Sequence, residues 1–281
     1  MNKFIKCIAA GTLCFMLASC KSVSPEAQAV IDTINTAMQN TEHTVQEYAD
    51  IQAQYEALDE KTQKEVSNYS EYQTKVVSYF ADKRNEVNTS LKGQKFYFSD
   101  TEGSVTSMVF NGDTVHMSLY DFDGNGKHET ASVDYEYICD GSKIRLNASQ
   151  PMVISYSVSN GKVTLDSSYL TEDDIINGLQ GSWTLRTSSF AGDTERNMEI
   201  SGRNATYEHA SEAYGYDGAY YYYGPYSGSI TIDDGSVSIN DTHGQEYFFS
   251  CKNGSVQLYH YDSKMSRGSG LKYEDGYYDA F

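Results

Sequence analysis

The sequence predicts an α+β protein in which an N-terminal helical bundle is followed by two tandem antiparallel β domains, each a meander that curls toward a barrel. Two observations predict it. Apolar residues recur at helical spacing from Ser24 to about residue 90, then at strand spacing from Leu91 onward. The second part also repeats itself: Leu91-Lys92-Gly93 is answered by Leu179-Gln180-Gly181, and later turns are answered in the same order.

Taken in order, the chain opens on Lys3 and Lys6, followed by an apolar run from Cys7 to Ala18. That run is too short to cross a hydrocarbon core, which takes about 20 helical residues. A basic start and a short apolar run mark residues 1–19 as a secretory signal peptide. The exit, Leu17-Ala18-Ser19-Cys20, resembles the lipobox of bacterial lipoproteins. The resemblance implies cleavage before Cys20, a thioether-linked diacylglycerol on its sulfur and a further acyl chain, palmitate or similar, on the new amine. The mature protein would then be anchored in the cell membrane on its extracytoplasmic, cell-surface side. Two or more chains, at about 0.8 kcal/mol per buried CH2, anchor stably.

Residues 20–90 form the helical bundle or spacer. Ser24-Pro25-Glu26 is a helix start, with an N-cap serine, proline at the first position and an acid near the positive end of the dipole. Val30, Ile31, Ile34 and Met38 follow at helical spacing, and Val45, Tyr48, Ile51, Tyr55 and Leu58 make a second stripe. A short third helix is expected from Glu60 to Val66. A longer one, capped by Ser70, should carry Tyr72, Val76, Phe80, Arg84 and Val87 on one side. The stretch from Gln54-Tyr55 through Gln63-Lys64 to Asn68-Tyr69 resembles a helical module of Gram-positive surface proteins. The resemblance implies a spacer or interaction role without chemistry of its own.

Residues 91–170 and 171–281 are the two β copies. Met108-Val109-Phe110-Asn111-Gly112 answers Met198-Glu199-Ile200-Ser201-Gly202, and Asp140-Gly141-Ser142 answers Asp234-Gly235-Ser236. Ser159-Asn160-Gly161 answers Lys252-Asn253-Gly254. Between the copies, Thr171-Glu172-Asp173-Asp174 reads as a capping box opening a short helix. Gly181-Ser182-Trp183 resembles the G-x-W of lipocalin-like domains. This implies barrels in which the tryptophan closes one end under an arginine from the last strand, here Arg267, by cation–π stacking. The first copy has Lys95 in place of that tryptophan, so its end must close by other means.

Composition narrows the function. The chain carries 39 acidic and 21 basic residues, a net charge of −18, with most of the excess in the β part. Such a surface is repelled by nucleic acid, and no nucleic-acid partner is expected. Outside the signal peptide and Cys20, only Cys139 and Cys251 remain. They share no spacing signature, and whether they pair stays open.

Three groups of residues are candidates for a site. The first is Cys20, for lipid attachment. The second is the tyrosine-rich insert from Tyr214 to Tyr226, whose Tyr216, Tyr220, Tyr222 and Tyr226, with Trp183, offer aromatic faces for a ligand; sugar rings stack on such faces. A long hairpin packing its tyrosines on its own barrel explains the same pattern. The third is Asp121-Phe122-Asp123-Gly124-Asn125-Gly126, where Asp121, Asp123 and Asn125 stand at the spacing of a calcium loop. The position that should supply a bidentate glutamate is Ser132, and a hairpin turn has the same composition, so weak calcium binding is the most this loop suggests. No other cofactor is expected.

No nucleophile, zinc or phosphate-loop signature occurs, and the expectation is a non-enzyme. It is a membrane-anchored cell-surface lipoprotein acting as a ligand- or glycan-binding module, with the bilayer and a glycan or small apolar ligand as partners. A structural or interaction protein of the cell envelope is the second reading. A hydrolase whose carboxylate pair is set by the fold is the third.

Overall fold

The computed structural model describes residues 23–149, 152–189, 192–212, 220–241, 243, 246–268 and 270. They divide into two compact units that part between Val76 and Val77. The protein is α+β, with helices first and two antiparallel sheets after them.

The first unit contains α1 (Pro25–Met38), α2 (Val45–Glu56), α3 (Glu60–Gln63) and the start of α4 (Tyr69–Leu91). Each of the first three begins at a side chain that accepts from orphan N–H groups: Ser24 for α1, Thr44 for α2 and Asp59 for α3. Val30, Ile34, Ile51, Tyr72 and Val76 are buried. Two boundaries differ from those expected. The third helix stops at Gln63, whose side-chain amide donates to Tyr55 O and Leu58 O at the end of α2. The fourth begins at Tyr69 rather than after Ser70, because Asn68 O already accepts from Tyr72 N. The Asn68 side chain meanwhile holds Ile31 O and Asn35 on α1.

The second unit starts with the rest of α4 and carries both sheets. The first is a seven-stranded meander, β1 (Lys95–Phe98), β2 (Ser104–Asn111), β3 (Thr114–Asp123), β4 (Gly126–Cys139), β5 (Lys143–Leu146), β6 (Met152–Ser159) and β7 (Lys162–Leu165). It forms a half-barrel. Its core gathers Phe96, Met108, Phe110, Tyr137, Ile144 and Ile154 around Val87 and Leu91 of α4. A single antiparallel bridge, Tyr97 to Leu170, ties the chain after β7 back to β1.

Next comes α5 (Glu172–Leu179), with the Thr171–Asp174 capping box complete. The second sheet follows as β8 (Gly181–Ser189), β9 (Gly192–Ser201), β10 (Asn204–Glu212), β11 (Tyr220–Asp233), β12 (Ser236–Asn240), β13 (Glu246–Lys252) and β14 (Ser255–His260). Two short strands then close it: β15 (Ser263–Lys264) pairs with β14, and β16 (Ser266–Arg267) pairs with β8. The sheet therefore joins its own first strand and makes a nearly closed barrel, which removes most of its edge. The turns aligned by the internal repeat join corresponding strands: Asn111-Gly112 and Ser201-Gly202 follow the second strand of each copy, Asp140-Gly141 and Asp234-Gly235 the fourth, Asn160-Gly161 and Asn253-Gly254 the sixth.

The two sheets pack on each other. Alternate residues of β1 serve both cores, Phe96 the first and Tyr97 the second. Phe122 stacks on Phe248 beside Tyr259, and Ser99 Oγ accepts from Cys251 N at 2.9 Å. Gly235 faces Val105 so closely, at a φ of 91°, that no side chain fits there. Lys95 donates to Asp234 at 2.7 Å. The residue that replaces the tryptophan in the first copy thus holds the fourth turn of the second. Cys139 and Cys251 are both buried free thiols, one in each core. Burial pushes both up to about 12.

Candidate functional site

The pairing register of the second barrel decides which side chains share its interior. Across β8, β9, β10 and β11 the inward residues fall into rows, because neighbours in register point the same way. Nearest α5 lie Gly181, Ile200, Ala205 and Gly228. The next row is Trp183, Met198, Tyr207 and Tyr226, followed by Leu185, Arg196, His209 and Tyr223, and at the far rim by Thr187, Thr194, Ser211 and Tyr221. Polarity therefore rises along the barrel axis, from an apolar floor to a polar mouth.

The floor is filled by the barrel's own side chains. Trp183, Met198, Ile230, Ile239, Phe249, Leu258 and Met265 are buried there, under Ile175, Ile176 and Leu179 of α5. Trp183 N–H donates to Leu179 O at 2.8 Å, and the Arg267 guanidinium lies 3.8 Å above its ring. Arg267 also donates to Gln180 O and Gly178 O, so a cation completes the C-terminal carbonyls of α5. The stacking that the lipocalin resemblance implied is present. It engages Trp183, 2% exposed, in closing the barrel end, which leaves its ring no face for a ligand.

The mouth is different. Tyr223 stacks on His209 at 4.3 Å, and Tyr226 lies 5.4 Å from Tyr207 and 3.8 Å from His243. Tyr207 O–H donates to Asp241 at 2.6 Å, and His243 N donates to the other oxygen of the same carboxylate at 2.9 Å. His260, at the end of β14, is buried with its ring 5.3 Å from that of Tyr247. Burial first, then the charges of Arg196 and His209, lower His260 to about 4 from an ordinary 6.5, so it is neutral near pH 7. Arg196 is half-buried in the same row as His209 and Tyr223. Among the described residues it makes no ion pair, whereas Arg145, Arg186 and Arg203 each reach a carboxylate.

The residues singled out in the sequence distribute as follows. Tyr226 is in the inward row. Tyr222 pairs in register with Ala210 and points to the outer face. The backbone of Tyr220 pairs with that of Glu212, at the top of the same hairpin. Tyr216 and Cys20 lie outside the described residues. Asp121, Asp123 and Asn125 are at the β3–β4 hairpin, a two-residue turn with Asp123 opposite Gly126. There Asp123 accepts from Asn125 N at 2.7 Å and contacts His128 at 3.1 Å. These bonds, the Asn125 amide first, hold its carboxyl below the usual range. That is turn chemistry, and no group of three or more metal-ligating acids, histidines or cysteines converges among the described residues. Sequence reasoning missed Arg196, His209 and His260. The alternation Thr194-Arg196-Met198-Ile200 carried a signal, since it places an arginine on the apolar face of a strand.

No protein-family model matches the chain, and no curated protein matches it. Among solved structures 11 chains match. One is a crystal structure of the C. crescentus beta sliding clamp with bound PEG, 8% identical, with 70% of this chain and 65% of that chain covered and a TM-score of 0.12. The chain thus spans 65% of the clamp's length, and a likeness at this level bears on neither fold nor function.

Proposed function

We propose that this protein is a lipid-anchored, extracytoplasmic binding module: a lipoprotein held by acyl chains on Cys20, with a helical spacer and two lipocalin-like β domains, of which the second takes a ligand at its mouth without transforming it. The observation that carries the reading is the polarity gradient of the second barrel. Its lower half is packed and closed by Trp183 and Arg267, while its upper half places His209 and Tyr223 in one row with the half-buried Arg196, and Tyr226 one row below. Aromatic rings with polar edges suit a sugar or another ring-bearing small molecule. The filled floor is unfavourable for a long aliphatic ligand. No helix among the described residues is long and apolar enough to cross a membrane.

Two measurements test this. In membrane fractions of cells expressing the full chain, the protein is expected in the detergent phase with a lipidated N-terminal peptide by mass spectrometry, and Cys20→Ser is expected in the aqueous phase. A Cys20→Ser chain that still partitions with membranes removes the anchor. A glycan and small-molecule screen of the full chain, beside a Tyr223→Ser/Tyr226→Ser variant, is expected to give ligands bound by the wild type alone. Absence of any ligand favours the envelope-interaction reading.

A further inference from the structure

We infer that the mouth of the second barrel selects an acidic saccharide, or a similar ring-bearing carboxylate, with Arg196 as the residue that reads the anion and His209, Tyr223 and His260 around it. This rests on the binding-module reading and names the ligand class of the same site. Register places Arg196 between Leu185 on one side and His209 on the other, in an inward row directly above Met198 and Tyr207. Both of those are buried, so the guanidinium cannot retreat into the floor.

The second observation is the absence of a protein anion for it. In a chain with 39 acidic residues, the guanidinium of this arginine has no hydrogen bond or ion pair among the described residues, and the neighbouring Glu195 and Glu208 carboxylates engage other side chains. The nearby carboxylate of Asp241 is held by Tyr207 O–H and His243 N–H. An unpaired, half-buried cation is costly unless something supplies an anion, and a guanidinium fork matches a carboxylate in two parallel bonds.

The third observation concerns the body of the ligand. The His209–Tyr223 pair, 4.3 Å apart and nearly parallel at 14°, stands in the same row as Arg196 and sets aromatic rings beside the charge. His260, kept neutral by burial, can donate to or accept from a hydroxyl without competing for the anion. A ring carrying both hydroxyls and a carboxylate satisfies all three groups. A fatty acid satisfies only Arg196, because its tail would have to displace Phe249, Leu258 and Met265.

The test is calorimetry or NMR titration of the full-length chain with glucuronate-containing and matched glucose-containing disaccharides, and with laurate as the aliphatic carboxylate. The wild type is expected to prefer the glucuronate probe by roughly tenfold or more, the size of a hydrogen-bonded charge contact. Arg196→Met is expected to abolish that preference, and Arg196→Lys to keep part of it. A circular-dichroism spectrum and an unfolding midpoint like those of the wild type show that each variant folds. Equal wild-type affinity for both sugars overturns the inference and leaves the binding module standing, as does a preference that survives Arg196→Met. Tighter binding of laurate than of glucuronate overturns the saccharide assignment. Should neither sugar nor laurate bind, the inference falls, and only the wider screen decides the module itself.

Discussion

The two β copies follow one plan and end differently. Both begin at a buried leucine that terminates a helix, Leu91 on α4 and Leu179 on α5, and both place their glycine turns after the second, fourth and sixth strands. At the next shared position the first copy has Lys95 and the second Trp183. Tryptophan fills its own barrel end, and Arg267 from the last strand seals it. Lysine cannot fill anything. It reaches across to Asp234, and the first copy closes only through the Tyr97–Leu170 bridge and the helix laid into its open side. The second copy thus closes on itself through β16 on β8, with Trp183 sealed by Arg267, whereas the first, with Lys95 at that position, is a half-barrel that uses a helix and the other copy as its lid.

The sharpest way to break this comparison is to remove the two residues at the shared position. Trp183→Ala is expected to cost about 3–5 kcal/mol, as for a large buried ring, measured by denaturant unfolding followed by circular dichroism. Lys95→Met should cost far less, and similar losses at the two positions would refute the difference in closure. Leu91→Ala and Leu179→Ala, equivalent in both copies and both buried, are each expected to cost about 2–5 kcal/mol. A small loss at one alone would mean that the helix ends are not equivalent.

A subtler distinction lies in pH. His260 belongs only to the second copy, and its folded value of about 4 lies below the ordinary 6.5. The unfolded chain therefore binds the proton more readily. Stability from this group is complete above about 6.5 and is lost as pH falls toward 4, by on the order of 2 kcal/mol. The difference between wild type and His260→Leu, from unfolding midpoints at pH 7 and 5, should shrink accordingly, and a constant difference would exclude the buried neutral imidazole. The smallest effect is expected at the inter-copy ion pair. Burial alone would raise the Asp234 carboxyl, but the Lys95 ammonium overrides it and holds it low. Because both partners are partly exposed, Lys95→Met should cost less than about 1 kcal/mol, and less again at high salt.

Much of this was legible from local chemistry. The Ser24-Pro25 start, the Thr171–Asp174 box and the glycine turns depend on residues a few positions apart, and the structure has each where the sequence puts it. The Trp183–Arg267 contact was legible only through family resemblance, since 84 positions of chain separate the two. The mouth was not legible at all. Arg196, His209 and His260 come from three strands, and alternation says that each points to one face, not that the faces meet. The tyrosines drew attention by number, yet Tyr222 and Tyr226 fall on opposite faces because the register shifts between Tyr207 and His209.

The sequence by itself determined the order of parts, from amphipathic helices to a duplicated set of strands, because periodicity, capping and turn formation are local. Tertiary structure alone decided which copy closes, that Lys95 meets Asp234, and that an arginine inside the barrel of an acidic protein meets no carboxylate among the described residues. Those outcomes depend on sheet closure and strand register, which bring residues together across long separations and are set by the packing of the whole core.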